Sequence, residues 1–587
     1  MTADGAFCLA ALCNGPGNGD DAPMGSDVNQ ERAKRIDKLR TGTAFDVLVV
    51  GGGITGVGIA LDLAARGLKP LVIDKGDWGG ATSSASSRLV HGGLRYLEHF
   101  EFSLVRDSCL ERALLLDNAA GFVWPEEFHF PVMRGDRVGA TKLMAGLWLY
   151  TALATPRALG LPTRRSAAAL ERRIPGIDRA RLKGGGSYID AATDDARLTL
   201  AIRQTAEREG ATSLSRIEAL SIEDRTTGPI TRLRDLETGD EFEVTTKAVV
   251  LAGGPSTDAL RSLCVFQTDA SSKAREAAWT TPTRGSHIVL PRAKLPTDGA
   301  VIFTSAVDGR VMFLIPWPNH TIVGTTDIDD DAANPKDGSP RGRPVATAAE
   351  VQYLVDSAAA LVPASKLTTD DVISTWAGLR PLLAAPPGKG PSERSREERM
   401  ERDGNLFTIA GGKLTGYRSA AEQLGHMLTS ALGIGLPDKA SPTRKLRLEG
   451  ALGGTIPRPA WSRLTPETSK VQALDSLALA WDARYAARGA DVRAFCASRP
   501  AGLDMLDGRT LWGEVDWAVL FEDARGLVDF LFRRSDVGLG QQHFVAELIP
   551  ALAERMGRLL DWSDECRAVQ IDRATEELER RHAWRQE

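Results

Sequence analysis

Three glycines and one aspartate carry the first chemical signal in this chain. Gly51, Gly53 and Gly56 satisfy the spacing G-x-G-x-x-G, and Asp74 follows at the end of a second apolar run, roughly twenty residues beyond the glycines as in dinucleotide folds. Glycine leaves room for a pyrophosphate to approach bare backbone at a helix N-terminus, and a carboxylate one strand later can accept hydrogen bonds from an adenosine ribose. The elements that must position these groups are legible around them. Val47, Leu48, Val49 and Val50 form a run of β-formers that reads as a buried parallel strand. Ile59, Ala60, Leu63 and Ala64 then recur at helical spacing, and Leu71, Val72 and Ile73 supply the second strand. The pattern predicts a bound dinucleotide without separating NAD from FAD.

With 587 residues the chain is too long for one ordinary core, so two or more domains are expected. Alternating strand and helix patterns over 45–120 predict a parallel sheet with helices on its faces. A helix over 195–209 is followed by a buried strand at 248–251 that ends in Ala252, Gly253 and Gly254 and returns the chain to the dinucleotide sheet. Residues 284–327 look strand-rich and predict an antiparallel sheet. The segment 386–402, rich in Pro, Gly and charge, reads as a surface loop. A strand over 406–410, a turn at Gly411 and Gly412 and a helix over 417–432 follow, offering a second set of backbone N–H groups. The fold class expected is α/β, with a Rossmann-like doubly wound sheet, an antiparallel substrate-domain sheet and a C-terminal helical domain. The divisions are a disordered or helical extension over 1–44, disordered to about residue 27, interleaved binding and substrate domains over 45–443, and a helical cap over 444–587 entered through a linker at 444–459.

Composition narrows the partners. A net charge of −5 argues against nucleic acid, which selects a basic face. Six scattered cysteines without C-x-x-C spacing predict a reducing compartment, no disulfide framework and no metal site. No stretch approaches about 18 apolar residues, so no bilayer-spanning helix is expected. The apolar segment 143–154, with Trp148 and Tyr150, precedes a run of basic residues that includes Arg164, Arg165, Arg172 and Arg173. It reads either as an interfacial anchor for anionic lipid or as a core helix followed by a solvated loop.

Downstream of the glycines, GDWGGATSSASSRLVHGGLRYLEHFEFSLVRDS resembles the corresponding stretch of the FAD-dependent glycerol-3-phosphate dehydrogenases. The resemblance continues in order through YIDAATDDARL, VVLAGGP, RGSHIVLP, GTTD, WAGLRPL, IAGGKLTGYR and a C-terminal E-D-A-x-x-x-x-D-x-x-x-R-R that starts at Glu522. It implies FAD, held noncovalently because no His or Cys stands where a covalent linkage could be inferred. Flavin contacts are implied for Ser83, Ser84, Ser87, Ala252, Gly253, Gly412 and Thr415.

The implied reaction is oxidation of sn-glycerol 3-phosphate to glycerone phosphate, with electrons passed to a membrane quinone. The protein would then sit at the cytoplasmic face of a membrane as a peripheral protein, and a homo-oligomer is a further partner reading. A secondary alcohol gives up its proton to a base, and a neutral histidine is suited to that near pH 7. By resemblance the base is His287, with His91 packing near the flavin and His99 outside the pocket. Phosphate calls for fixed cations, and the resemblance nominates Arg95, Tyr96, Arg380 and Lys413, placed in turns beside glycines. The family's Ser/Thr-Arg-Asp element finds its nearest match in Ser395-Arg396-Glu397, which adds Arg396. An oxidase of the same family that reduces O₂, an amine-oxidising flavoprotein and a flavin-binding scaffold without turnover are the competing readings.

Overall fold

The apolar run that opens the glycine motif folds as the strand Phe45–Val50 at the centre of a parallel array. It lies between Pro70–Asp74 and Glu241–Leu251, pairing Val49 with Val72 and with Val250. Thr212–Ser215 extends the array on one side and Leu406–Gly411 on the other. The computed structural model describes residues 25–42, 44–265, 278–329, 343–384, 398–434, 440–454, 456–463, 481 and 484–587. Successive strand residues face opposite ways. Val47 and Val49 accordingly join a core with the helices Ile54–Ala65, Asp195–Arg208 and Tyr417–Ala431, while Leu48 and Val50 meet Ile36 and Leu39 of the helix Gly25–Arg40 on the far side. The helices expected on both faces therefore divide unequally. The far face is completed by an antiparallel extension, Ile217–Glu223 and Ile230–Asp235, paired through the first half of Glu241–Leu251. That half alternates exposed and buried residues, so only its apolar end stands out in the sequence.

Glu398–Asp403, expected as part of a surface loop, is instead a strand running antiparallel to Leu406–Gly411. Its charged side chains suit its place at the rim of the sheet, where they discourage pairing with another chain. Residues 385–397, including Arg396, lie outside the described residues.

The second sheet has ten strands and is larger than expected. Thr283–Pro291, His320–Gly324, Val311–Trp317, Ala300–Thr304 and Ser374–Arg380 form the antiparallel part. Two long strands, Val123–Met133 and Leu182–Thr193, join it through a parallel contact between Ala300 and Phe128. Val351, Leu354, Val355 and Ala358 of the helix Ala348–Leu361 cover one face. The helix Ala140–Ala154 turns Leu143, Leu147 and Tyr150 into the core of the other, leaving Trp148 and Leu149 exposed.

The segment expected as a linker is packed rather than free. Leu448 and Ala451 join the core of the parallel sheet, and Arg458 pairs with Glu126 at 2.8 Å. Beyond it the helices Gly489–Ala497, Trp512–Glu522, Gln542–Leu560 and Asp564–Arg580 account for the helical C-terminal region. Val545, Ile549, Leu552, Ala553, Met556 and Leu560 recur at helical spacing on the buried stripe of Gln542–Leu560.

The C-terminal E-D-A…D…R-R block is a clasp onto the loop after Asp74. Arg534 donates to both oxygens of Asp77, at 2.6 and 2.7 Å, and Arg533 also bonds Asp77. Asp523 accepts from Trp78 Nε1 at 2.7 Å and from Ser215 Oγ at 2.8 Å. Asp529 ties Arg533 to Arg216, and Glu522 takes Arg197 at 2.7 Å. Burial pushes the Asp77 carboxyl up, but Arg534 and Arg533 outweigh it and hold it well below the usual carboxylate range. Removing one partner of a buried ion pair strands the other charge at about 3–5 kcal/mol, the loss expected for Asp77→Asn at pH 7. A carboxyl lowered in the folded state contributes stability above its unfolded value of about 3.9 and loses it as pH falls. The gap between wild type and Asp77→Asn in urea unfolding should therefore be full at pH 7 and narrow below about pH 4; a gap that widens with acid would contradict this.

Candidate active site

The glycine turn is built by close backbone contact. Gly51 has φ of 122°, and a Cβ there would overlap the Ala252 carbonyl oxygen; a Cβ on Gly56 would overlap the carbonyl oxygen of Gly51. These contacts bring the ends of Phe45–Val50 and Glu241–Leu251 against the start of Ile54–Ala65. That helix has no side-chain cap and no acidic residue in its first turn, so its positive end is not neutralised by its own sequence. Gly53 differs: a Cβ there would meet only Ser83 Oγ, at 3.2 Å. The Asp74 carboxylate accepts the Gly52 and Gly76 N–H groups at 2.6 Å each, bracing the turn, and burial raises its carboxyl despite them. The cradle, with its bare backbone and open helix end, fits the pyrophosphate of a dinucleotide.

The serine-rich segment runs from this cradle to the second sheet. Ser83 Oγ accepts the Ile54 N–H at 2.9 Å, Ser84 Oγ donates to the Gly79 carbonyl at 2.8 Å, and Ser87 Oγ lies 2.8 Å from His287 Nε2. Ser83 and Ser87 are four positions apart in the chain, so their Cα atoms are within about 14 Å. Ser84 thus bonds within its own turn, and Ser87 meets the histidine. The second glycine turn, with Gly412 at φ 88°, leads into a short 3₁₀ turn with Thr415 buried. Gly253 and Ala252 close the end of their strand, with Ala252 N–H donating to Val50.

His287 is buried on Thr283–Pro291, opposite Gly324 on one neighbouring strand and Trp376 on the other. Gly324 leaves the room, since a Cβ there would overlap the imidazole. Trp376 stacks on the ring at 5.0 Å and 15°. Burial lowers the imidazole to about 3, helped by the charges of Arg380 and Arg88, so it is neutral at pH 7. Among the described residues its Nδ1 has no hydrogen-bond partner. Arg380 is not in a turn, as expected, but closes the strand Ser374–Arg380. Its guanidinium lies over Gly285 and donates to Asp327 Oδ1 at 2.9 Å and Thr325 Oγ1 at 2.9 Å. Among the described residues Lys413 Nζ is buried without a hydrogen-bond partner, and it sits 3.9 Å from the centre of the Tyr96 ring. A buried ammonium without a hydrogen-bond acceptor is costly, and an anion beside it would lower that cost.

Tyr96 lies in the 3₁₀ segment Leu94–His99, whose entry is tied down where Gly92 N–H donates to the Tyr150 hydroxyl at 2.8 Å. The side chains of Arg95 and His99 lie outside the described residues, and His91 is half-buried. Sequence reasoning missed Trp376, Gly324, Thr325 and Asp327 as neighbours of His287 and Arg380. All four stand in the GTTD and WAGLRPL blocks, the signal that could have found them.

Gly53 offers a direct test of the cradle, because its Cβ position is tolerable while a branched side chain would occupy the pyrophosphate path. Gly53→Val should keep its circular dichroism and melting cooperativity but purify without the absorbance of a bound flavin. A fully yellow Gly53→Val protein would contradict the cradle.

The sequence pattern of the family described as FAD dependent oxidoreductase matches residues 46–431. The aerobic glycerol-3-phosphate dehydrogenase of Staphylococcus saprophyticus is 34% identical over 72% of this chain and 74% of its own length. That of Staphylococcus aureus is 31% identical over 93% and 96%. The solved glycerol-3-phosphate dehydrogenase from Bacillus halodurans, complexed with FAD, superposes with a TM-score of 0.71 at 26% identity, covering 94% of this chain and 97% of that one. The chain belongs to the FAD dependent oxidoreductase family and, within it, to the aerobic glycerol-3-phosphate dehydrogenases.

Proposed function

We propose that this chain oxidises sn-glycerol 3-phosphate at C2 to glycerone phosphate, with His287 as the base and Arg380 and Lys413 as phosphate ligands. The observation that carries the reading is a buried, neutral imidazole whose ring shares its strand pair with an arginine, together with a lysine whose buried Nζ has no hydrogen-bond partner among the described residues. FAD, held noncovalently at Gly51, Gly53, Gly56 and Asp74, supplies the hydride acceptor when bound. Arg380 orients the phosphate through a planar fork already fixed by Asp327 and Thr325. The phosphate charge offsets the Arg380 field that depresses His287, so the imidazole gains basicity as substrate binds. His287 then accepts the C2 hydroxyl proton, with Ser87 and Trp376 setting the ring orientation. Arg95, Tyr96 and Arg396 complete the phosphate site in this reading. A cationic pocket of this kind repels the ammonium group of an amine substrate, which disfavours the amine-oxidising alternative.

Electron delivery follows from the same reading. Among the described residues no helix is long and apolar enough to cross a membrane, so a lipid-soluble quinone must be met at the bilayer surface. The exposed Trp148 and Leu149 of Ala140–Ala154, with Phe100 and Phe102 on the segments this helix packs against, form the apolar part of that surface. Arg165 and Arg179 of the basic run are engaged with Glu127 and Glu171, while Arg164 and Arg172 are exposed and suited to anionic headgroups, at about 1 kcal/mol each.

Loss of a buried charge-assisted contact costs about 1.5–3 kcal/mol, roughly ten- to a hundredfold in binding. Arg380→Ala should raise KM for glycerol 3-phosphate by that factor and leave oxidation of unphosphorylated glycerol little changed; an equal loss with both would assign Arg380 to the fold instead. Replacing Trp148 and Leu149 together with serine should abolish co-sedimentation with anionic vesicles without slowing anaerobic flavin reduction, and retained sedimentation would place the membrane surface elsewhere.

A further inference from the structure

Ser86, Ser87 and Arg88 are consecutive, yet each holds a different part of the molecule. Ser86 Oγ donates to Asp195 at 2.6 Å, Ser87 Oγ lies 2.8 Å from His287 Nε2, and Arg88 Nη1 donates to Asp536 Oδ1 at 3.4 Å. The Arg88 guanidinium lies 4.1 Å from the centre of the Trp317 ring and 5.6 Å from that of Trp376, the ring that stacks on His287. Trp317 Nε1 donates to the other Asp536 oxygen at 3.0 Å, and Arg509 approaches that oxygen at 3.7 Å. The imidazole is thus held by Ser87 on one side and Trp376 on the other, and both holders lead to Arg88.

Two features show that Arg88 is itself imposed on. It has φ of 54°, a left-handed conformation that is disfavoured for a non-glycine residue and persists only where the surroundings enforce it. It is also buried, where a guanidinium without a carboxylate would be strongly disfavoured. Asp536 comes from the C-terminal helical region, two residues beyond the clasp arginine Arg534.

We propose that Asp536 is a positioning residue for the reaction: it anchors Arg88, and through Arg88 it fixes Ser87 and Trp376 in the arrangement that aims His287 at the substrate hydroxyl. This rests on His287 being the proton acceptor. The C-terminal region would then complete the active site at long range, without touching substrate or flavin.

The test is anaerobic stopped-flow reduction of the FAD-loaded protein by glycerol 3-phosphate, arranged as a double-mutant cycle. Asp536→Asn should slow reduction at saturating substrate by about ten- to a hundredfold while changing half-saturation less than about twofold, and Asp536→Glu should recover part of the rate. His287→Ala alone should slow reduction by about 10² to 10⁴. In that background Asp536→Asn should add nothing, because its effect passes through the missing imidazole. A wild-type rate in Asp536→Asn, or the same slowing with and without His287, overturns the proposal. A wild-type rate in His287→Ala overturns instead the assignment of the base. Should Asp536→Asn fail to hold FAD, Trp317→Phe removes one donor to Asp536 and keeps the carboxylate; it should slow reduction by about two- to fivefold only when His287 is present, and an unchanged rate again overturns the proposal.

Discussion

Backbone closing on backbone where Phe45–Val50 ends is the constraint on which the site depends. A side chain at Gly51 would press on the Ala252 carbonyl, and one at Gly56 would drive the helix Ile54–Ala65 away from the Gly51 carbonyl; either opens the turn. With that turn closed, the helix N-terminus faces one way, the serine-rich segment crosses beside it through the bond from Ile54 N–H to Ser83, and the same segment reaches His287 four residues later. Cofactor cradle and candidate base are therefore coupled by a single short stretch of chain. Gly378 reinforces the coupling, since a Cβ there would press on Ala85 of that stretch, and Thr82 Oγ donates to the Leu379 carbonyl.

Charge is distributed by the same logic. Most buried arginines among the described residues have carboxylate partners: Arg534 with Asp77, Arg197 with Glu522, Arg418 with Glu111 and Arg112 with Asp190. Such pairs offset desolvation without adding much net stability, but leaving one half alone is expensive. Lys413 departs from this pattern, and His287 Nδ1 is a buried polar atom likewise without a partner among the described residues. Structural economy would have filled both positions with apolar groups. Binding of an anionic alcohol, as proposed above, would offset the cost of keeping these polar groups buried.

Much of this was legible in the sequence wherever one local pattern determined the outcome. The glycine turn, its helix and the parallel strands follow from spacing and apolar runs, and the helix read over 195–209 is present as Asp195–Arg208, capped by Asp194, which accepts the Arg197 N–H at 3.1 Å. Glu398–Asp403 was not legible as a strand, because its residues are charged and its β conformation comes from pairing with Leu406–Gly411. Arg380 looked like a turn residue beside a glycine, and only the register opposite Thr283 shows that it ends a strand. The tasks of Ser84, Ser87 and Arg88 could not be separated within one serine-rich run, since their partners at Gly79, His287 and Asp536 lie at very different distances along the chain. The C-terminal block was visible as a motif, but that its acids and arginines grip the loop after Asp74 is a fact of tertiary structure.

The reduction of the bound flavin by substrate, followed anaerobically by its absorbance, tests the central claim most directly. Mixing with sn-glycerol 3-phosphate should bleach the flavin band rapidly and yield one glycerone phosphate per flavin, whereas glycerol without the phosphate should act far more slowly. A flavin band that stays oxidised in excess glycerol 3-phosphate, in protein shown to carry FAD, would contradict the assignment of this site to that reaction.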